Sequence, residues 1–196
     1  MILQRLKMET RAQHAALESQ LPLLDASMSL EAYRQCLRRF YGYYLPLESL
    51  LMAQPVWDEL GFDYTERCKA HGLQRDLLAL GDSPAQLMQI PRCHDIPKLH
   101  TLAQVLGCLY VIEGATLGGQ IITKHLQANL RLTPNHGATF FSGYGVRTGA
   151  LWKAFGTMLI TRAEQAASAS ASEIVDSANQ TFQTLEQWLF HKVACV

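Results

Sequence analysis

The stretch Leu109-Tyr-Val-Ile-Glu-Gly-Ala-Thr-Leu-Gly-Gly-Gln-Ile-Ile-Thr-Lys-His125 has the apolar content of one long helix, yet Gly114, Gly118 and Gly119 fall in its middle. Each glycine inside a helix costs roughly 1 kcal/mol relative to alanine. Three so close together need an offsetting gain. Either another helix packs unusually near the bare backbone, or the backbone itself lies against a flat ligand. Glycine clusters are also points at which helices kink. The stretch by itself leaves both explanations open.

Around it the chain has helical periodicity and almost no strand-like alternation. A first helix is expected from Leu3 to Gln20, ended by Pro22, and a second after Ser29, interrupted by Pro46. A third is expected from Thr65 to Leu80, followed by an ordered connection over 82–98 that holds Pro84, Pro91 and Pro97. The glycine-bearing helix should run from Leu99 to Leu130, a fifth from Thr148 to Gln165, and a sixth from Glu173 to Lys192. The small residues Ala166 to Ser172 should break or fray the junction between the last two. No repeat or composition shift divides the chain, so the expectation is one all-α, bundle-like domain over 1–196.

Charge and cysteine content narrow the function. Lys+Arg and Asp+Glu are both 17, which gives zero net charge and no basic stripe for nucleic acid. Five cysteines, an odd number without a C-x-x-C, argue against a disulfide framework or a zinc ribbon and for reduced thiols in a cytoplasm. No run of about 20 apolar residues predicts a membrane span, and the N-terminus lacks a signal-peptide core.

Several side-chain patterns could carry chemistry. Lys7, Thr10, His14 and Glu18 recur at helical spacing and share one face. A carboxylate one turn after a histidine can accept its Nδ1–H and make Nε2 a better ligand, although a plain surface His–Glu pair has the same spacing. Neither Glu-x-x-His pairs nor His-Glu-x-x-His occur, which disfavours a caged metal and leaves one axial histidine plus a cofactor. Cys108 precedes Glu113 on the central helix and could be a nucleophile with its carboxylate, or simply a buried small side chain. Phe40 to Tyr44 and Phe140-Phe141 read as core. Arg147 and Lys153 at the start of the fifth helix are either solvated charges or carboxylate-binding groups.

Three of these pieces together resemble the heme oxygenase family, in that family's order and over most of the chain. Leu6-Lys-x-x-Thr-Arg-x-x-His14-x-x-x-Glu18 is similar to the proximal helix. Tyr110-Val-Ile-Glu-Gly-Ala-Thr-Leu-Gly-Gly-Gln120 is similar to the distal helix, and Phe140-Phe-x-x-Tyr-Gly-x-x-Thr-Gly-x-x-Trp-Lys153 to the segment leading into a propionate-binding helix. The pattern looks most like bacterial biliverdin-producing members, including those that serve bacteriophytochromes. The resemblance implies heme sandwiched between a proximal helix and a glycine-kinked distal one. His14 would ligate the iron and Glu18 would orient it. Gly114, Gly118 and Gly119 would line the distal side, with Thr116 and Gln120 as nearby polar candidates. Lys7, Lys153 and, more loosely, Arg147 would face the propionates, and Phe182 would wall the pocket. The chain departs from animal members at Ala115, where they carry an aspartate that organises water for proton delivery.

The implied reaction is oxidative cleavage of heme, both substrate and cofactor, by dioxygen to biliverdin, ferrous iron and carbon monoxide. Electrons would come from a separate reductase or ferredoxin, since the chain has no flavin or nicotinamide fingerprint. Two rivals share the architecture. One is a heme-binding protein without turnover; the other is a thiaminase-like hydrolase, which needs a working Cys108–Glu113 pair.

Overall fold

In the computed structural model, which describes residues 1–61, 63–165 and 168–190, the expected first helix is divided into α1 (Ile2–Glu9) and α2 (Arg11–Gln20). The joint is Thr10, at φ −103° and ψ 1°. Its hydroxyl donates to the Leu6 carbonyl at 2.8 Å, a back-bond that bends helices. The second predicted helix is α3 (Leu30–Met52), capped by the Ser29 hydroxyl, which accepts from the Ala32 N–H.

α3 runs through Pro46 rather than stopping there. Proline has no N–H for the carbonyl four residues back, that of Gly42. The Cys93 N–H donates to that carbonyl instead, at 2.9 Å. The proline is tolerated because a distant segment supplies the missing donor.

The expected third helix is resolved into a 3-10 turn at Thr65–Arg67 and α5 (Ala70–Ala79), preceded by the short α4 (Trp57–Leu60). The segment expected as a connection contains α6 (Pro84–Gln89), which begins with a reciprocal Ser83–Gln86 capping box and proline in its first turn. α7 (Leu102–Leu130) starts at the Thr101 cap and is helical without a break through Gly114, Gly118 and Gly119. A short helix, α8 (Thr139–Ser142), follows in the expected loop. α9 (Thr148–Gln165) has the predicted bounds, and α10 (Ser168–Phe190) begins before Glu173. Of the stretch 166–172 expected to break or fray, 168–172 is already helical as the start of α10; 166–167 and the expected end at Lys192 lie outside the described residues.

α7 packs on α10, α8 and α9, while α3 pairs with α5 and α10 also contacts α1, α2 and α3. Leu106, Leu109 and Ile112 of α7 meet a continuous core with Tyr33, Tyr43 and Leu47 of α3 and Ile174 and Ala178 of α10. α10 comes very close to α7 at Gly107, where a Cβ would stand 2.2 Å from the Ile174 carbonyl oxygen. By length and composition α7 would suffice to cross a membrane, which the sequence reading did not anticipate; 56% of its most apolar window is buried against the other helices.

Candidate functional site

Two contacts link the ends of the α2 segment to α7. The Thr10 side chain, just before α2, lies beside the Tyr110 hydroxyl, and beyond α2 a His125 ring nitrogen lies 3.3 Å from the Asp25 carbonyl oxygen. Along the chain, His14 and Glu18 fall between these contacts on α2, and Gly114 and Gly118 between them on α7.

The glycine-bearing face of α7 is uncovered there. A Cβ at Gly118 would have nothing within 4 Å, and one at Gly114 would make only ordinary contact with the Trp152 ring, at 3.6 Å. Ala115 and Leu117 are exposed, and Ile121 is 63% exposed. An exposed apolar helix face of this kind can receive a flat, largely apolar ligand.

His14 is solvent-accessible, with its side chain 53% exposed. Glu18 Oε2 lies 3.5 Å from His14 Nδ1, an ion-pair distance longer than an ordinary hydrogen bond. This places the carboxylate on the Nδ1 side and leaves Nε2 as the nitrogen able to coordinate. The Phe182 ring meets the imidazole edge-on, with centroids 5.7 Å apart, so α10 fixes the ring from behind. Among the described residues no three His, Cys, Asp or Glu side chains converge on a metal-sized point. A metal at His14 would therefore have to arrive with most of its ligands already in place.

The other expected residues divide. Lys7, Arg147 and Lys153 are exposed and, among the described residues, have no acidic partner. They are available to a ligand's carboxylates. Gly119 is a packing glycine rather than a lining one: a Cβ would meet the Phe141 carbonyl oxygen at 2.2 Å, so the bare backbone admits α8. Thr116 is turned to the far side of α7. It is buried, its hydroxyl donates to the Glu113 carbonyl at 2.6 Å, and it abuts Gly143. Gln120 donates to the Ser142 carbonyl at 3.0 Å. Neither polar candidate replaces an acid at Ala115.

The proposed nucleophile pair is absent. Cys108 is fully buried, and burial pushes its thiol up to about 12. A thiol held neutral in an apolar core is not a nucleophile. Glu113 is engaged elsewhere: Oε2 accepts from Arg67 at 2.8 Å, and Oε1 accepts from Lys69 at 2.8 Å and from the Tyr144 hydroxyl at 2.7 Å. Glu48 ties the same region together by accepting the Lys69 and Ala70 N–H groups and the Tyr64 hydroxyl. Sequence reading missed this network because its members are far apart along the chain. It also missed Leu117 and Ile121, although Gly114, Gly118 and Ile121 share a face at helical spacing.

A family model described as heme oxygenase matches residues 1–191. The fold is similar to that of the NO- and CO-bound heme oxygenase from Neisseria meningitidis (TM-score 0.75, 20% identity, 100% of this chain and 95% of that one). It is similar also to heme oxygenase from Leptospira interrogans (0.76, 17%, 96% and 98%) and to heme oxygenase-1 from the cyanobacterium Synechocystis in complex with heme (0.72, 18%, 96% and 90%). No curated protein matches the sequence.

Proposed function

The chain belongs to the heme oxygenase family, and on that premise we propose that it cleaves heme oxidatively to biliverdin, with release of iron and carbon monoxide, as one domain spanning 1–196. The observation that carries this reading is the pairing of an accessible His14, backed by Glu18 and Phe182, with the uncovered Gly114–Gly118 face of α7. These residues fit a heme: one histidine suffices for an iron already held by four ring nitrogens, and Gly118 leaves the space a flat macrocycle needs.

Bound heme would supply the redox-active iron and the ring that is consumed. His14 Nε2 would hold the iron, and Glu18 would keep the imidazole in the tautomer that leaves Nε2 free. Gly114 and Gly118 would keep the distal side narrow yet open to dioxygen. Lys7 and Lys153, with Arg147, would receive the propionates at the rim. Ala115 offers no acid, and the Thr116 and Gln120 side chains are already hydrogen-bonded. Proton delivery therefore falls to water admitted along the exposed face of α7. Electrons would come from an external reductase or ferredoxin. A cytoplasmic location and a bacteriophytochrome as recipient of biliverdin complete the proposal.

Ala115 favours a second reading, a heme-binding protein of the same fold without turnover. Absorption spectra with hemin, before and after adding ascorbate or a ferredoxin system in air, separate the two. A Soret band that decays into biliverdin absorption supports the oxygenase. A Soret band that persists selects the binder, and no Soret band overturns both.

A further inference from the structure

The strongest polar feature beside the cleft is the buried cluster around Glu113, on the flank of the open face of α7. Glu113 is 1% exposed, and Arg67 and Lys69 are each 8% exposed. Burying such charges carries a large desolvation cost, and well-packed apolar side chains in the same place are often as stable or more so. Stability alone is a weak reason for the cluster. Its position supplies a better one.

α7 is apolar over most of its length, and at Gly114, Gly118 and Gly119 it lacks the side chains that normally interlock neighbouring helices. Toward α10 and α8 the helix is fixed by apolar packing and by the close approaches at Gly107 and Gly119, whereas toward α9 Gly114 makes only ordinary contact with Trp152. Glu113 immediately precedes Gly114 and is held from two directions. Arg67 and Lys69 come from the segment entering α5. Tyr144 comes from the turn just before α9, where its own N–H donates to the Thr148 hydroxyl at 3.2 Å. α9 carries Trp152, which faces Gly114, followed by the exposed Lys153. One carboxylate thus ties α7 both to the segment entering α5 and to the start of α9.

We propose that Glu113, through Arg67, Lys69 and Tyr144, is a positioning residue that sets how the ligand sits in the plane of the cleft, and hence which edge of the ring faces the Gly114–Gly118 backbone. This rests on the heme reading above. Glu113 does not touch the ligand. It fixes the rotation of α7 relative to α9, and with it the register between the glycine face and Lys153.

The test uses the full chain with hemin. Tyr144→Phe removes the tie to α9 and keeps both ion pairs, so it is the variant least able to unfold the protein; Glu113→Gln is the stronger perturbation. Both should retain the Soret band set by His14. The hemin methyl resonances in proton NMR of the ferric cyanide complex should shift, or the ratio of the two ring orientations should change at least twofold. Under turnover the biliverdin isomer ratio should broaden in parallel. A Tyr144→Phe protein with unchanged methyl resonances and an unchanged isomer ratio overturns the proposal, whether or not Glu113→Gln folds. A parent protein that gives no Soret band overturns the heme reading and the proposal with it, whereas a binding parent with unresponsive variants overturns the proposal alone.

Discussion

Gly118 and Gly119 are neighbours in sequence and opposites in surroundings. A methyl at Gly118 would enter open space, whereas one at Gly119 would strike the Phe141 carbonyl of α8. Gly118→Ala should therefore stabilise the ligand-free protein by up to about 1 kcal/mol through helix propensity and weaken hemin binding by filling the slot. Gly119→Ala should destabilise by about 1–3 kcal/mol through overpacking. Urea denaturation of the two variants, with hemin titrations, tests this; a Gly118→Ala protein as destabilised as Gly119→Ala would mean that its face is covered. At His14 the expectation is reversed. The side chain is half-exposed, so His14→Ala should leave the urea midpoint nearly unchanged while abolishing the histidine-ligated hemin spectrum. An unaltered spectrum would remove His14 from the site.

At the scale of elements, the start of α8 is capped by a single carboxylate. Asp76 of α5 accepts the N–H groups of both Thr139 and Phe140 at 2.8 Å, covering the start of a four-residue helix that could not persist alone. Asp76→Ala leaves both donors without their partner and should cost about 1–3 kcal/mol. Asp63→Ala, which removes an exposed turn contact to Thr65, should cost far less. Equal urea midpoints for the two variants would refute this role of Asp76. Nothing in the sequence pairs Asp76 with residue 139, and the same limit explains what else escaped it. Periodicity identified the helices, and the His14–Glu18 spacing placed both residues on one face. The start of α6 was written in Ser83-Pro84-Ala-Gln86 and passed over because of the prolines around it. The passage of α3 through Pro46 was illegible, since the compensating donor is Cys93. Gly107, Gly118 and Gly119 look alike as letters; only the helices brought against Gly107 and Gly119 make those two packing sites, and Gly118 is left uncovered.

For the whole molecule, the buried carboxyls give opposing responses to acid. Burial pushes Glu113 up, but Lys69, Tyr144 and Arg67 together outweigh it and hold the group below its ordinary 4.5. The folded state then binds fewer protons than the unfolded chain around that pH. The stability Glu113 contributes is full above 4.5 and is lost as pH falls through its folded value. For Glu48 burial prevails over its hydrogen bonds from Lys69 and Ala70, and its carboxyl sits above 4.5. Its sign is opposite: the folded state binds more protons, and stability is lost as pH rises from 4.5 through the folded value. The two effects partly cancel in the parent, so its own acid profile is a poor probe, and the gap between each variant and the parent is a better one. Glu113→Gln removes the buried carboxylate that Arg67 and Lys69 share and should cost about 3–5 kcal/mol at pH 7. That gap should shrink below pH 4.5, where the parent loses the same interaction by protonation. The gap for Glu48→Gln should move the other way, turning less favourable to the variant as pH falls, because the parent alone gains from protonating Glu48. Urea denaturation of the three proteins between pH 3 and 7 measures both gaps. If the two move in the same direction with pH, the assignment of Glu113 as the charged partner of Arg67 and Lys69 and of Glu48 as the easily protonated one is wrong.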